Sequence, residues 1–413
     1  MSLNLQNLID KINTRVAGID SATSLNDIIR LTELNTRISG SMNQGAIQYR
    51  SQNQLPAVSL SDSASGGQIA FVTDDQIDSD GRFYFRSRGG WINLQTATDS
   101  DENYSIANLS PGESTPSFVF QGSSYGYAAG GGNPTGNNTV DKYPLISDGT
   151  ATDVGDLTVA RRYVGANSSS TYAYSAGGGA PAYSDVIDRF PFSTDENATD
   201  VGDLFVTTQA SAAATSSTDG YLAGGSTTPS PSGTNIIQKY PLTASSSSTD
   251  TADLTRTVSG AAGATSSTDG YAMGGVGPGP TVTTVVDKFP FASDANSADV
   301  GDTTVARQLG AGGSSTTYGY MAGGYIAPTF SNVIDKFPFA SDGNLTDVGD
   351  LYQTKGWGSG VSSTTAGYAN GGIINPISTY TVGLDKYSFA SDGNGSDVGS
   401  LTLARFSSAG HQV

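Results

Sequence analysis

Six copies of one pattern fill most of this chain, and they limit it to a repeat architecture. Each copy has a tyrosine shortly followed by Gly-Gly, then a variable stretch. An alternating segment of the type Asp-Lys-Phe-Pro-Phe follows, and then an Asp-Val-Gly-Asp-Leu turn. The tyrosines are Tyr127, Tyr174, Tyr221, Tyr271, Tyr320 and Tyr368, spaced 47 to 50 residues apart. Each copy parses into four short strands; in the third copy they are 210–216, 220–224, 235–242 and a last strand around 252–258. In 186–192, Val186, Asp188, Phe190 and Phe192 share one face of a strand while Ile187 and Arg189 share the other. Prolines 144, 191, 241, 290 and 338 lack a ladder donor and place that part of the third strand toward an edge. A period near ~50 built from such units predicts an all-β fold, a six-bladed β-propeller over 116–413 with one four-stranded blade per copy.

A propeller must close, because an open blade exposes an edge. Residues 401–411 repeat 303–313, the passage from one copy's last strand into the next copy's first. The C-terminal residues are therefore expected to complete the first blade. Residues 116–122 are the competing candidate for that strand.

Charge removes several functions. The chain has 413 residues and a formal net charge of −18, with only 20 Lys+Arg. Nucleic-acid binding needs clustered cations, so no nucleic-acid partner is expected, and an anionic membrane surface is equally disfavoured. No apolar run approaches the ~20 residues of a membrane span, so no insertion is expected. The first residues, MSLNLQNLIDKINTR, lack the apolar core of a signal peptide. There is no cysteine and one histidine, His411, which excludes thiol nucleophiles, cysteine-held metals and multi-histidine sites.

Before the repeats the composition changes. Leu5, Leu8, Ile9, Ile12 and Val16 fall at helical spacing. Ser24 and Asp27 form a capping box for a second helix carrying Leu25, Ile28 and Ile29. Residues 1–40 are expected to form a helical attachment or oligomerisation segment. Residues 41–94 are expected to form a small three-stranded antiparallel β module with strands at 67–72, 81–86 and 89–94. Residues 95–115 are polar and read as a linker.

Two resemblances add to this. The Gly-Gly doublets 130–131, 224–225, 274–275 and 323–324, the downstream aromatics and the recurring arginine resemble kelch repeats over about residues 116–413. The kelch tryptophan is missing, with Leu157, Leu204, Leu254, Leu351 and Leu401 near its place. Kelch-like galactose oxidases hold copper through a Cys-linked tyrosine and two histidines, which this chain cannot supply. The pattern Leu55-Pro56, Gly67-Gln68-Ile69-Ala70-Phe71, Gly81-Arg82-Phe83-Tyr84 and Gly89-Gly90-Trp91 resembles a small β module of tailed-bacteriophage fibre and appendage proteins. That resemblance implies a virion protein bound to other virion proteins, forming a homo-oligomer and projecting its propeller toward a host glycan or surface protein.

Among candidate site residues, Arg161, Arg307, Lys355 and Arg405 stand once per copy, with Thr208 and Val258 in the other two. Spacing once per blade points to structural pairing with Asp141, Asp188, Asp287, Asp335 and Asp385, replaced by Gln238 in the odd copy. The acidic turns 194–200 and 341–347 concentrate oxygen donors and are candidate Ca2+ ligands, though without EF-hand spacing; no other cofactor is expected. The loops between second and third strands vary most. They carry Tyr183, Tyr325, Phe330 and Tyr380, aromatics suited to sugar faces or protein partners. No catalytic residue is expected. Two other functions fit the same composition: a glycoside hydrolase-like propeller acting through paired carboxylates on surface polysaccharide, and an intracellular kelch-type interaction module.

Overall fold

The computed structural model describes residues 120–179, 182–227, 233–375 and 379–413, together with four strands before them. The chain divides into two compact units, Met1–Pro116 and Ser117–Val413. No helix occurs among the described residues. The expected helices of 1–40, with Leu5, Leu8, Ile9, Ile12, Val16, Leu25, Ile28 and Ile29, lie outside them, as does the linker 95–115.

In the first unit Ile69–Val72, Arg82–Ser87 and Gly90–Leu94 form the expected antiparallel meander. A fourth strand, Gln48–Tyr49, adds in parallel beside Ile69–Val72, so the sheet has four strands instead of three. A two-residue strand has too few positions to show alternation, and the sequence gives no sign of it.

Among its described residues the second unit contains six four-stranded antiparallel sheets, a layout consistent with a β-propeller. Sheet I comprises Ala409–Gln412, Tyr125–Ala129, Asn137–Pro144 and Thr152–Arg161. Sheet II comprises Gly165–Ser168, Tyr172–Ala176, Val186–Pro191 and Thr199–Asp203. Sheet III comprises Ala212–Thr215, Asp219–Ala223, Thr234–Pro241 and Thr249–Val258. Sheet IV comprises Ala262–Thr265, Asp269–Met273, Val285–Pro290 and Ala298–Asp302. Sheet V comprises Ala311–Ser314, Tyr318–Ile326, Thr329–Pro338 and Thr346–Asp350. Sheet VI comprises Ser359–Ser362, Ala366–Asn370, Gly383–Ser388 and Ser396–Ser400. The repeat prolines end interior third strands, past the last residue paired with the fourth strand, so their missing N–H interrupts no ladder there.

Sheet I takes its first strand from the far end of the chain. Ala409 pairs with Ala129 and His411 with Tyr127. Residues 120–122 do not serve as that strand. Instead the Gly122 N–H donates to the Ser362 carbonyl, and the Gln121 amide donates to the Ser314 carbonyl at 2.9 Å.

The first strands are built almost wholly from Gly, Ala, Ser and Thr, because their backbones converge. A Cβ on Gly312 would lie 1.9 Å from the Gly263 carbonyl oxygen, and one on Gly360 would lie 1.8 Å from that of Gly312. Convergence continues in the links from each fourth strand to the next first strand. Tyr163, Ala210, Gly260, Leu309, Trp357 and Ser407 occupy equivalent link positions, all with φ between 50° and 67°. Each donates its N–H to the carbonyl of the preceding member at 2.7–3.0 Å, and Tyr163 donates to Ser407. The six bonds form a closed cycle.

Apolar packing joins neighbouring sheets in the same cyclic sense. The repeat tyrosines are all buried, each against third-strand aromatics of the next sheet. Tyr271 meets Phe337 and Phe339, Tyr320 meets Tyr387 and Phe389, and Tyr368 closes the cycle on Tyr143. Offset and edge contacts of this kind contribute about 0.5–1.5 kcal/mol each beyond area burial.

Candidate ligand-binding face

The charged residues that recur once per copy meet between sheets. Arg161 pairs with Asp188 at 2.9 Å, Arg307 with Asp335 at 3.1 Å and Lys355 with Asp385 at 3.1 Å; Arg405 pairs with Asp141. Every partner in these pairs is at most 1 % exposed. In each case the cation ends or follows the fourth strand of one sheet and the acid sits on the third strand of the next. Register slips by one residue just before each acid, as between Ile187 and Asp188 or Ile334 and Asp335. Such a bulge re-aims a side chain, here toward the neighbouring sheet. Threonine hydroxyls complete the carboxylates: Thr158 donates to Asp188 and Thr402 to Asp141, both at 2.6 Å. Burial pulls the Arg161 and Arg307 guanidinium and Lys355 ammonium pKa values down, and the partner carboxylates oppose the shift.

The two odd copies keep charge balance in different ways. In one, Thr208 replaces the cation and Gln238 the acid; the Gln238 amide donates to the Val206 carbonyl at 3.0 Å and to Thr208 Oγ1. In the other, Val258 replaces the cation, but Arg256 reaches Asp287 at 3.3 Å from two residues earlier on the same strand. The sequence reading missed Arg256. Its signal was available, since residues two apart share a strand face.

The acidic turns staple the outside. Asp195 pairs with Lys142, Asp294 with Lys239, Asp342 with Lys288, Asp392 with Lys336 and Asp148 with Lys386, in each case one sheet to the next. Within the same turns, Asn197 accepts from the Asp156 N–H and Asn344 from the Asp302 N–H. Asp200 and Asp347 accept from Gly202 and Gly349. Six of the oxygen-donor side chains considered for calcium therefore have protein partners. Among the described residues no group of three or more His, Cys, Asp or Glu is placed to hold a metal ion.

His411 stands on the closing strand, fully buried. Its ring lies edge-on to Phe190, with Nε2 2.9 Å from Ser175 Oγ and Nδ1 3.2 Å from the Asn167 carbonyl. Burial pushes its pKa down to about 4.

Antiparallel order puts the variable second-to-third-strand loops at the same end of the sheets as the cyclic links. Here the loop from sheet VI adds two short strands, Ile373–Ile374 and Thr379–Tyr380, which make a three-stranded flap with Lys355–Gly356 of the preceding link. Aromatic residues gather in two groups. Trp357 packs on Tyr325 at 4.9 Å and on Phe330 at 5.4 Å. Tyr380 stacks on Phe406 at 5.4 Å, and Tyr163 meets the Phe406 edge at 5.8 Å. Arg162 lies over both the Tyr163 and Phe406 rings.

Beside them opens a depression of about 350 Å³. Tyr163, Gln209, Ala210, Ser259, Gly260, Gln308, Leu309 and Trp357 line it from the links, and Tyr183 and Ser226 from the loops. Among the described residues no charged side chain lines it. Gln209 Nε2 donates to Tyr183 Oη at 3.1 Å, and Tyr183 Oη lies 3.1 Å from Ser226 Oγ.

Of the four aromatics expected on the variable loops, Tyr183 lines the depression. Tyr325 and Tyr380 are half-buried supports for Trp357 and Phe406, and Phe330 is buried at 5 % exposure. Sequence reading missed Trp357, Tyr163, Gln209 and Gln308, which lie on the links outside the loops. Their signal was positional: between a repeated cation and a repeated small-residue strand, one position holds six different residue types. Neither a scan against protein-family models nor a search of curated proteins gives a match to this chain.

Proposed function

We propose that the second unit is a six-bladed, kelch-like β-propeller, and that the chain is a non-enzymatic structural and adhesive protein of a tailed-phage virion. The N-terminal module attaches it to other virion proteins and to sister copies. The propeller meets a host-surface glycan or protein with its loop face. Six sheets, a closed cycle of six link hydrogen bonds and cyclic Tyr–aromatic contacts support the blade count. The kelch reading is supported by the Gly-Gly doublets. Gly131 donates its N–H to the Arg161 carbonyl and Gly372 to that of Arg405, each from φ near 100°. The virion reading rests on the resemblance of residues 55–91.

The observation that carries the binding role is the open depression on the variable loop face, with tyrosine, tryptophan, amide and hydroxyl groups around it. The recurring carboxylates are meanwhile committed to inter-sheet pairs. The test is incubation of the full chain with a panel of bacterial surface polysaccharides. Saturable binding without release of reducing ends is expected. Carboxylate pairs about 5–10 Å apart suffice for glycoside hydrolysis, so time-dependent release abolished by one Asp→Asn change would replace this reading with the hydrolase.

A further inference from the structure

We infer that the loop-face depression is a subsite for an uncharged sugar ring, a pyranose unit of a neutral glycan. This rests on the reading of the second unit as a binding module and specifies its ligand class. Charge decides first. A chain of net charge −18 surrounds a depression whose lining, among the described residues, holds no carboxylate and no cation. An anionic sugar finds no partner there, and a cationic one finds no counter-charge.

The lining chemistry points the same way. Trp357 and Tyr163 supply aromatic surface, which packs on the apolar faces of a pyranose. Gln209 is held by Tyr183, which is held by Ser226, so one wall presents a fixed amide and hydroxyls. On another wall, the Gln308 amide makes no side-chain hydrogen bond among the described residues, leaving donors and an acceptor for ligand hydroxyls. The volume of about 350 Å³ falls in the range of small-ligand sites, roughly 300–1,000 Å³.

Backbone strain adds an independent argument. Tyr163, Leu309 and Trp357 hold φ of 56° to 58°, a region that costs a non-glycine residue roughly 1–2 kcal/mol. Gly260 shows that the cycle accepts glycine at this position. Large side chains kept at strained positions mark a use for them.

Trp357 and Trp91 are the two tryptophans, so full-length Trp91→Phe protein reports Trp357 fluorescence alone. Maltohexaose, mannohexaose and laminarihexaose serve as neutral probes, hexagalacturonate and chitosan hexamer as charged ones. At least one neutral hexamer is expected to bind saturably and change Trp357 emission, with the charged hexamers at least about tenfold weaker. Gln308→Ala, which loses no internal hydrogen bond, should weaken binding about tenfold at unchanged melting temperature. Ala210→Tyr should abolish binding by filling the depression, since Tyr163 occupies the equivalent position. Undiminished binding in both variants overturns the inference but leaves the adhesive reading standing. Preference for a charged hexamer also overturns the inference. Failure of every hexamer and every polysaccharide to bind overturns the inference and the glycan part of the adhesive reading.

Discussion

At the scale of single residues, the buried Asp, Arg and Lys side chains among the described residues occur in matched pairs. Taking one member from a buried pair leaves an uncompensated charge, at a cost of about 3–5 kcal/mol. The Gln238–Thr208 copy allows the converse experiment. Gln238→Asp alone buries a carboxylate without a cation and should destabilise the protein by about 3 kcal/mol. Adding Thr208→Arg should recover most of that loss in denaturant melts, because Arg161 of sheet I and Asp188 of sheet II occupy the equivalent positions one copy earlier. Purely additive effects would mean that the two positions are not coupled.

His411 makes a second prediction at this scale. Its folded pKa of about 4 lies below the ordinary 6.5, so the unfolded chain binds the proton more readily. The resulting stability is full above pH 6.5 and is lost as pH falls from 6.5 toward 4, at up to about 1.4 kcal/mol per pH unit. His411→Gln should flatten that window in unfolding measurements. An unchanged slope would place the responsible group elsewhere. The pairs were legible in the sequence because cation and acid share one period; Arg256 enters two residues out of phase, so it shows only when the shared face of its strand is followed back from Val258.

Elements show where sequence patterns inform and where they do not. Alternation marked the third strands and turn residues marked their ends, so the four-strand parse of each copy could be read directly. The first strands carried a different signal, a run of small residues, whose meaning lies in backbone convergence that no single copy displays. Gly312→Ala tests that convergence. Its Cβ would meet the Gly263 carbonyl oxygen at 1.9 Å, so a loss of about 3 kcal/mol is expected. Gly343→Ala meets nothing within 4 Å and carries only the strain of φ 109°, so it should cost about 1 kcal/mol. Equal losses would mean that the first strands have room to part. The candidate binding site was the least legible part, because the five link positions that line it share a backbone conformation and no residue type.

For the whole molecule, the division at Pro116/Ser117 separates a repeat unit with its own cyclic packing from the segment we assign to attachment. Deleting residues 1–40 should leave the unfolding transition of the repeats unchanged and lower the mass measured by light scattering from that of the homo-oligomer we propose to that of a monomer. An oligomer of unchanged mass would move the attachment function out of that segment. Closure by the C-terminal strand is the claim on which the architecture depends, and the absence of native cysteine makes it directly measurable. Ala129 and Ala409 face each other across the closing pair. The neighbouring Tyr125–Val413 pair exchanges both backbone hydrogen bonds, which sets the Ala129–Ala409 Cα separation near ~5.5 Å, within disulfide range. The double variant Ala129→Cys/Ala409→Cys should form an intramolecular disulfide nearly quantitatively under mild oxidation and raise the melting temperature, whereas Ala129→Cys/Phe120→Cys should not. Cross-linking to position 120 with none to position 409 would contradict a ring closed by residues Ala409–Gln412.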